Sequence, residues 1–144
     1  MEEERRPDVS LVVRDNERAA AEALSRGDFV HAYLLLHVLI EALLRHFLRV
    51  QKEYVTFSEL IRRYDLYLDE QGYPFPTFKD ELTKLNGRRN RIVHELWRRG
   101  YTATNAQADQ AARAAMLTYG LLIEWLETFD EEITETGFRY DVGA

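Results

Sequence analysis

From Asp28 to about Arg49 the chain carries Leu, Val and Ile around most of a helical circumference, and no other segment constrains the fold so strongly. At 1.5 Å per residue such a helix spans ~33 Å, and a helix apolar on nearly every side has to be surrounded by other elements. It is therefore expected at the centre of a helical domain. A membrane span is not expected, because its most apolar part, Tyr33–Phe47, already holds His37, Glu41, Arg45 and His46.

The remaining segments are also helical in length and period, and alternation with period two is nowhere sustained. Val9 to Ser25 sets Val9, Val12, Val13, Asn16, Ala20, Ala23 and Leu24 on one face and stops at Gly27, after which Asp28 is placed to cap the central helix. A third helix opens with Thr56 as N-cap, Glu59 as its capping-box partner and Val55 stapled to Leu60, and buries Phe57, Leu60, Ile61, Tyr64 and Leu68. It ends near Gly72, before Tyr73-Pro74-Phe75-Pro76, a stiff connector. A fourth helix, Thr77 to about Arg99, spaces Leu82, Leu85, Arg89, Ile92, Val93 and Leu96 by threes and fours, so that an arginine stands where the pattern reserves a core position. Gly87 predicts a kink or a close backbone approach there. The last helix, about Thr104 to Ile133, has its seam at Ala108, Ala111 or Ala112, Ala115, Tyr119, Leu122, Leu126, Phe129 and Ile133. The expected fold is an all-α antiparallel bundle of about five helices, one domain over residues 1–136 with a short loose tail at 137–144.

Composition agrees with one core: 144 residues, 46% of them hydrophobic, seven glycines and three prolines leave no room for a disordered or disulfide-stapled class. The chain has no cysteine, so thiolate metal sites and cysteine nucleophiles are excluded. Its start, Met-Glu-Glu-Glu-Arg-Arg, lacks the layout of a signal peptide, and a cytoplasmic location is expected. A net charge of −6 argues against coating nucleic acid over the whole surface. A local patch remains, because residues 88–99 hold Arg88, Arg89, Arg91, Arg98 and Arg99 against Glu95 alone.

Within that patch runs Asn86-Gly87-Arg88-Arg89-Asn90-Arg91-Ile92-Val93-His94-Glu95-Leu96-Trp97, in which Arg89-Asn90 is followed, after three more residues, by His94. In an all-helical chain of this size the motif resembles the signature of the HEPN superfamily. The long second helix with Glu41 near its middle, the proline connector and the motif ahead of a last long helix resemble the HepT-type branch over most of residues 16–133. The resemblance implies a homodimeric, metal-independent endoribonuclease without a cofactor, with Arg89 and His94 of two subunits meeting in one cleft. It further implies a cytoplasmic toxin–antitoxin or defence setting.

The residue types suit that chemistry. RNA carries its own nucleophile in the 2′-hydroxyl, so the protein has to move protons and neutralise charge on the phosphate. His94 can act as acid or base near neutrality, Arg89 can grip a phosphate bidentately, and Asn90, four residues before His94, can orient the imidazole or meet a phosphate oxygen. Arg88, Arg91 and Arg98 are candidate RNA contacts, with a solvated helix face as the alternative. A buried Arg89 needs a partner, and Glu41 is expected to hold it. His37, Glu41 and Arg45 form an i, i+4, i+8 stripe that could be read as a ligand face, but no second His-carboxylate cluster completes a shell, so no metal is expected. His31 and His46 are expected at the surface, and Tyr54, Tyr64, Tyr67 and Tyr73 in core or dimer surface. The HepT-type branch often has a tyrosine two residues after the motif histidine, where a nucleotidyltransferase-type antitoxin attaches AMP. Here that residue is Leu96.

Overall fold

A computed structural model describes residues 9–51, 54–73, 75 and 77–139. These form seven helices and no strand: α1 Val9–Ser25, α2 Phe29–Phe47, α3 Phe57–Glu70, α4 Lys79–Arg99, α5 Tyr101–Gln107, α6 Asp109–Glu127 and α7 Glu132–Thr136. Helix α2 is the centre. Ten of its nineteen residues are buried, and α1 and α6 pack most extensively along it. It alone among the described helices is long and apolar enough to cross a bilayer, and half of that stretch is covered by the rest of the bundle.

The all-α architecture agrees with the periodicities, and most departures lie where a helix ends. Gly27 takes φ +79°, which lets Asp28 N–H reach Ala23 O at 2.8 Å and turns the chain from α1 into α2. The expected Asp28 side-chain cap is absent. Asn105 of α5 caps α2 instead, accepting from Val30 N–H at 3.0 Å and donating its amide to Gly27 O at 2.9 Å, while Asp28 accepts from Arg26 and Tyr101. Thr56 caps α3 as expected, its hydroxyl accepting from Glu59 N–H at 3.2 Å. The prolines of the connector lie outside the described residues, and α4 opens at Lys79 rather than Thr77, because Phe78 adopts a left-handed φ of +68°.

The expected last helix is divided into α5, α6 and α7, which accounts for seven helices in place of five. The first break falls at Ala108, whose N–H bonds to Asn105 O in a tighter turn. The second falls at Thr128–Glu131, where Asp130 accepts from Glu132 N–H at 3.1 Å. The seam itself is as spaced: Ala108, Ala112, Ala115, Tyr119, Leu122, Leu126 and Ile133 are buried. Gly87 meets nothing within 4 Å, and α4 runs through it without interruption. The close approach expected there does not occur.

Polar ties fix how the helices sit. Tyr33 of α2 donates to Leu85 O of α4, and Tyr64 of α3 donates to Thr77 O at 2.6 Å while accepting from Trp125 Nε1 of α6 at 2.9 Å. Burial pushes the Tyr33 phenol up to about 12, so it remains a donor at any physiological pH. Residues 137–139, expected to be loose, are docked. Phe138 is fully buried, Gly137 lies against Ser10, and the buried Glu17 carboxylate accepts from Arg139 N–H at 3.0 Å and Tyr119 O–H at 2.6 Å. Residues 1–8, with the N-terminal acidic and basic run, and 140–144 lie outside the described residues.

Candidate functional site

Only Leu82, Leu85 and Ile92 of the 21 residues of α4 are buried. The helix therefore lies on the bundle by a narrow buried stripe. Arg89, Asn90 and His94 are all exposed. Around a helix advancing ~100° per residue, Arg89 and His94, five positions apart, stand ~140° apart. Arg89 Nη1 donates to Asn90 Oδ1 at 3.2 Å, and the His94 ring lies 6.0 Å from the indole of Trp97, one turn on. Within one chain the motif thus makes an Arg–Asn pair and a His–Trp pair, not an Arg–His contact.

The expected Arg89–Glu41 ion pair is not formed, and Arg89 is not a buried residue. It stands on the apolar stripe of α4 near enough to His37 of α2 to act on it electrostatically, but its long side chain is exposed. Glu41 is half-buried and pairs with Arg45 on its own helix at 3.9 Å, while Arg45 also donates to Val55 O at 2.6 Å. An i, i+4 partner needs no tertiary alignment, which is why the carboxylate is neutralised within α2.

His37 is the buried member of the stripe. Its ring stacks 4.5 Å from Phe57, its Nε2 has no hydrogen-bond partner, and burial, reinforced by the Arg89 guanidinium, lowers its pKa to about 4 against a smaller opposing effect of the Asn86 side chain. It is neutral at pH 7. No group of three His, Asp or Glu side chains among the described residues could share a metal ion. His31 is exposed as expected, whereas His46 is half-buried beside Thr136, 3.0 Å from its hydroxyl. Of the four tyrosines, Tyr64 is core, Tyr67 and Tyr73 join an aromatic cluster with Phe129, and Tyr54 is exposed.

The expected RNA contacts lie away from Arg89 around α4. Arg98 pairs loosely with Glu95 at 4.0 Å, and Arg91, on the same face two turns from Arg98, lines with Arg88 a cleft of about 430 Å³ between α4, α5 and the start of α6. Glu95, Gln107 and Gln110 also line it, and none was singled out from the sequence. One signal was there: Glu95 is the lone acid among the five arginines of residues 88–99. Leu96, two residues past His94, packs half-buried against the core. No protein-family model matches the chain, no curated protein matches its sequence and no solved structure matches its fold.

Proposed function

We propose that the chain is a metal-independent endoribonuclease of the HEPN type that works as a homodimer, with His94 moving protons and Arg89 stabilising charge on the transferring phosphate. The reading is carried by the exposure of Arg89, Asn90 and His94 together on α4 of an all-helical bundle. The apolar surface beside them supports it. Val93 is 43% and Trp97 80% exposed, the kind of side chains that a two-fold contact buries. Because Arg89 and His94 diverge around one helix, a second copy of α4 across the axis is what brings a guanidinium and an imidazole to the same phosphate.

In that cleft the 2′-hydroxyl attacks the adjacent phosphorus, and the bond to the 5′-oxygen of the next nucleotide breaks. One His94 takes the 2′ proton, the other protonates the leaving oxygen, and the two Arg89 guanidiniums hold the charged phosphoryl oxygens. Arg98 extends the positive surface for the rest of the strand. A nucleotidyltransferase-type antitoxin and a cytoplasmic setting belong to this reading. Control by AMP attachment two residues after His94 does not, since Leu96 has no hydroxyl and is packed against the core.

The test is incubation of the purified protein with end-labelled RNA in excess EDTA, wild type beside His94→Ala. Cleavage by the wild type alone is expected, and cleavage abolished by EDTA would overturn the mechanism. A sedimentation measurement showing only monomer at micromolar concentration would remove the composite cleft. A non-catalytic HEPN module for nucleotide or protein binding is the second reading, favoured by the absence of an Arg89–His94 contact within one chain. An intact, dimeric wild type that cleaves no RNA would select it.

A further inference from the structure

The cleft on the far side of α4 has a wall whose polar groups are left incomplete. Arg88 and Arg91, one turn apart at its rim, have no ion-pair partner among the described residues. Glu95 is held only by long ion pairs, to Arg99 at 3.6 Å and Arg98 at 4.0 Å, and its buried Oε2 accepts no hydrogen bond. That oxygen, cut off from water and met only by Arg99 at 3.6 Å, is under-satisfied, and native structures seldom leave a buried carboxylate oxygen so. Gln107 already accepts from Arg99 through its Oε1 at 3.4 Å, which leaves its amide hydrogens to the cleft, and Gln110 brings a second amide. The floor is small and apolar, formed by Ile92, Ala108 and Ala111, and gives a flat ring a place to lie.

A ligand that completes this wall carries an anion, a planar body, N–H donors for the carboxylate and an acceptor for the amides. From this we infer that the cleft binds a guanine nucleotide, its N1–H and N2–H edge on Glu95, its O6 on a glutamine amide and its phosphate on Arg88 and Arg91. Adenine fails the same wall, because its N1 lone pair would face the carboxylate. Uracil fails because its single N–H is flanked by two carbonyl oxygens. The Arg98 side chain beside Glu95 is exposed and long and can swing aside to admit the base, while Arg99 keeps its bond to Gln107. A volume of about 430 Å³ is of the size that takes a mononucleotide.

The same chemistry can arrive as a free nucleotide or as one guanosine of an RNA strand. Around α4 the order His94, Arg98, Arg91, Glu95 leads from the motif to the cleft, a path that a strand held at His94 would follow. The inference does not depend on ribonuclease activity.

Titration calorimetry on the full chain tests it, with GMP, AMP and inorganic phosphate as ligands. GMP is expected to bind one per chain and at least about 10-fold more tightly than AMP, the discrimination of a good carboxylate–base pairing. Inorganic phosphate is expected to be weaker than either. Glu95→Gln should erase the preference for GMP, and Arg88→Ala with Arg91→Ala should reduce GMP to the affinity of guanosine. In a competition arm, a short single-stranded RNA with one guanosine that displaces GMP more effectively than free GMP does, while its adenosine counterpart does not, identifies RNA as the source; displacement by GMP alone identifies the free nucleotide. Equal binding of GMP and AMP, or no binding of GMP at millimolar concentration, overturns the inference. Both readings come from the wild type and so stand even if a variant fails to fold.

Discussion

Replacing His37 with Leu should flatten the acid limb of the stability profile. In the folded chain the ring is buried against Phe57 and stays neutral down to about pH 4, whereas in the unfolded chain it takes up a proton near 6.5. The folded value is the lower of the two. Its contribution is therefore fully present above about pH 6.5, is lost as pH falls, and levels off below about 4. A separation of about 2.5 pKa units at ~1.36 kcal/mol each gives about 3 kcal/mol. We take about 2–3 kcal/mol as the loss between pH 7 and pH 4, since the solvated Arg89 guanidinium is one cause of the shift and solvent screens it. At pH 7 the substitution itself should change stability by no more than about 1 kcal/mol, because Nε2 makes no hydrogen bond and the ring's one polar neighbour, the partly exposed Asn86 side chain, keeps Ser58 and water as partners. Urea unfolding of both proteins at pH 7, 5.5 and 4.5, with circular dichroism as the probe, measures the difference. If the gap between wild type and His37→Leu stays constant across the three pH values, the ring is not held neutral by its surroundings and the reasoning fails.

Three further outcomes follow from the same contacts. Glu41→Ala should cost less than about 1 kcal/mol by thermal unfolding, because the carboxylate's ion pair with Arg45 is half-exposed and 3.9 Å long; a loss of 3 kcal/mol or more would show that Glu41 neutralises a buried charge after all. Gly137→Ala should destabilise by about 2 kcal/mol or more, since its φ is +121° and a Cβ would stand 2.8 Å from the Ser10 backbone at Cα; an unchanged melting temperature would mean that the 137–139 segment is not docked in solution. Arg89→Lys and His94→Gln, both at exposed positions, should keep the melting temperature of the wild type and each lower RNA cleavage by about 10²-fold or more; full activity in either would remove that residue from the chemistry.

The all-helical class, the central place of α2, the bounds of α1 and the capped start of α3 were legible from residue order, because each rests on local physics. An apolar stripe repeating every three or four residues, or a threonine three positions before a glutamate, acts within one or two turns of chain. The division of the last expected helix was not legible. At the first break Asn105 serves α2 from across the bundle, and at the second Asp130 accepts from Glu132 N–H, and no periodicity in residues 104–133 records either demand. The docking of Phe138 depended likewise on Glu17 and Ser10, more than 120 residues away in the chain.

At the candidate site the order of residues determined which groups are present and on which helix: Arg89, Asn90 and His94 on α4, Glu41 on α2, arginines along residues 88–99. Which of them meet was decided by tertiary packing. Spacing alone put Arg89 on the buried stripe, yet α4 buries only three of its residues, and a side chain as long as arginine reaches water from so narrow a contact. His37 of α2 is the buried polar residue nearby, its ring against Phe57 of α3. The cleft of Glu95, Gln107 and Gln110 exists because α5 folds back beside α4 after Gly100, at φ +84°. A cavity is a property of the distance between helices, and that distance is set by the sum of the side chains between them, not by the pattern on either helix.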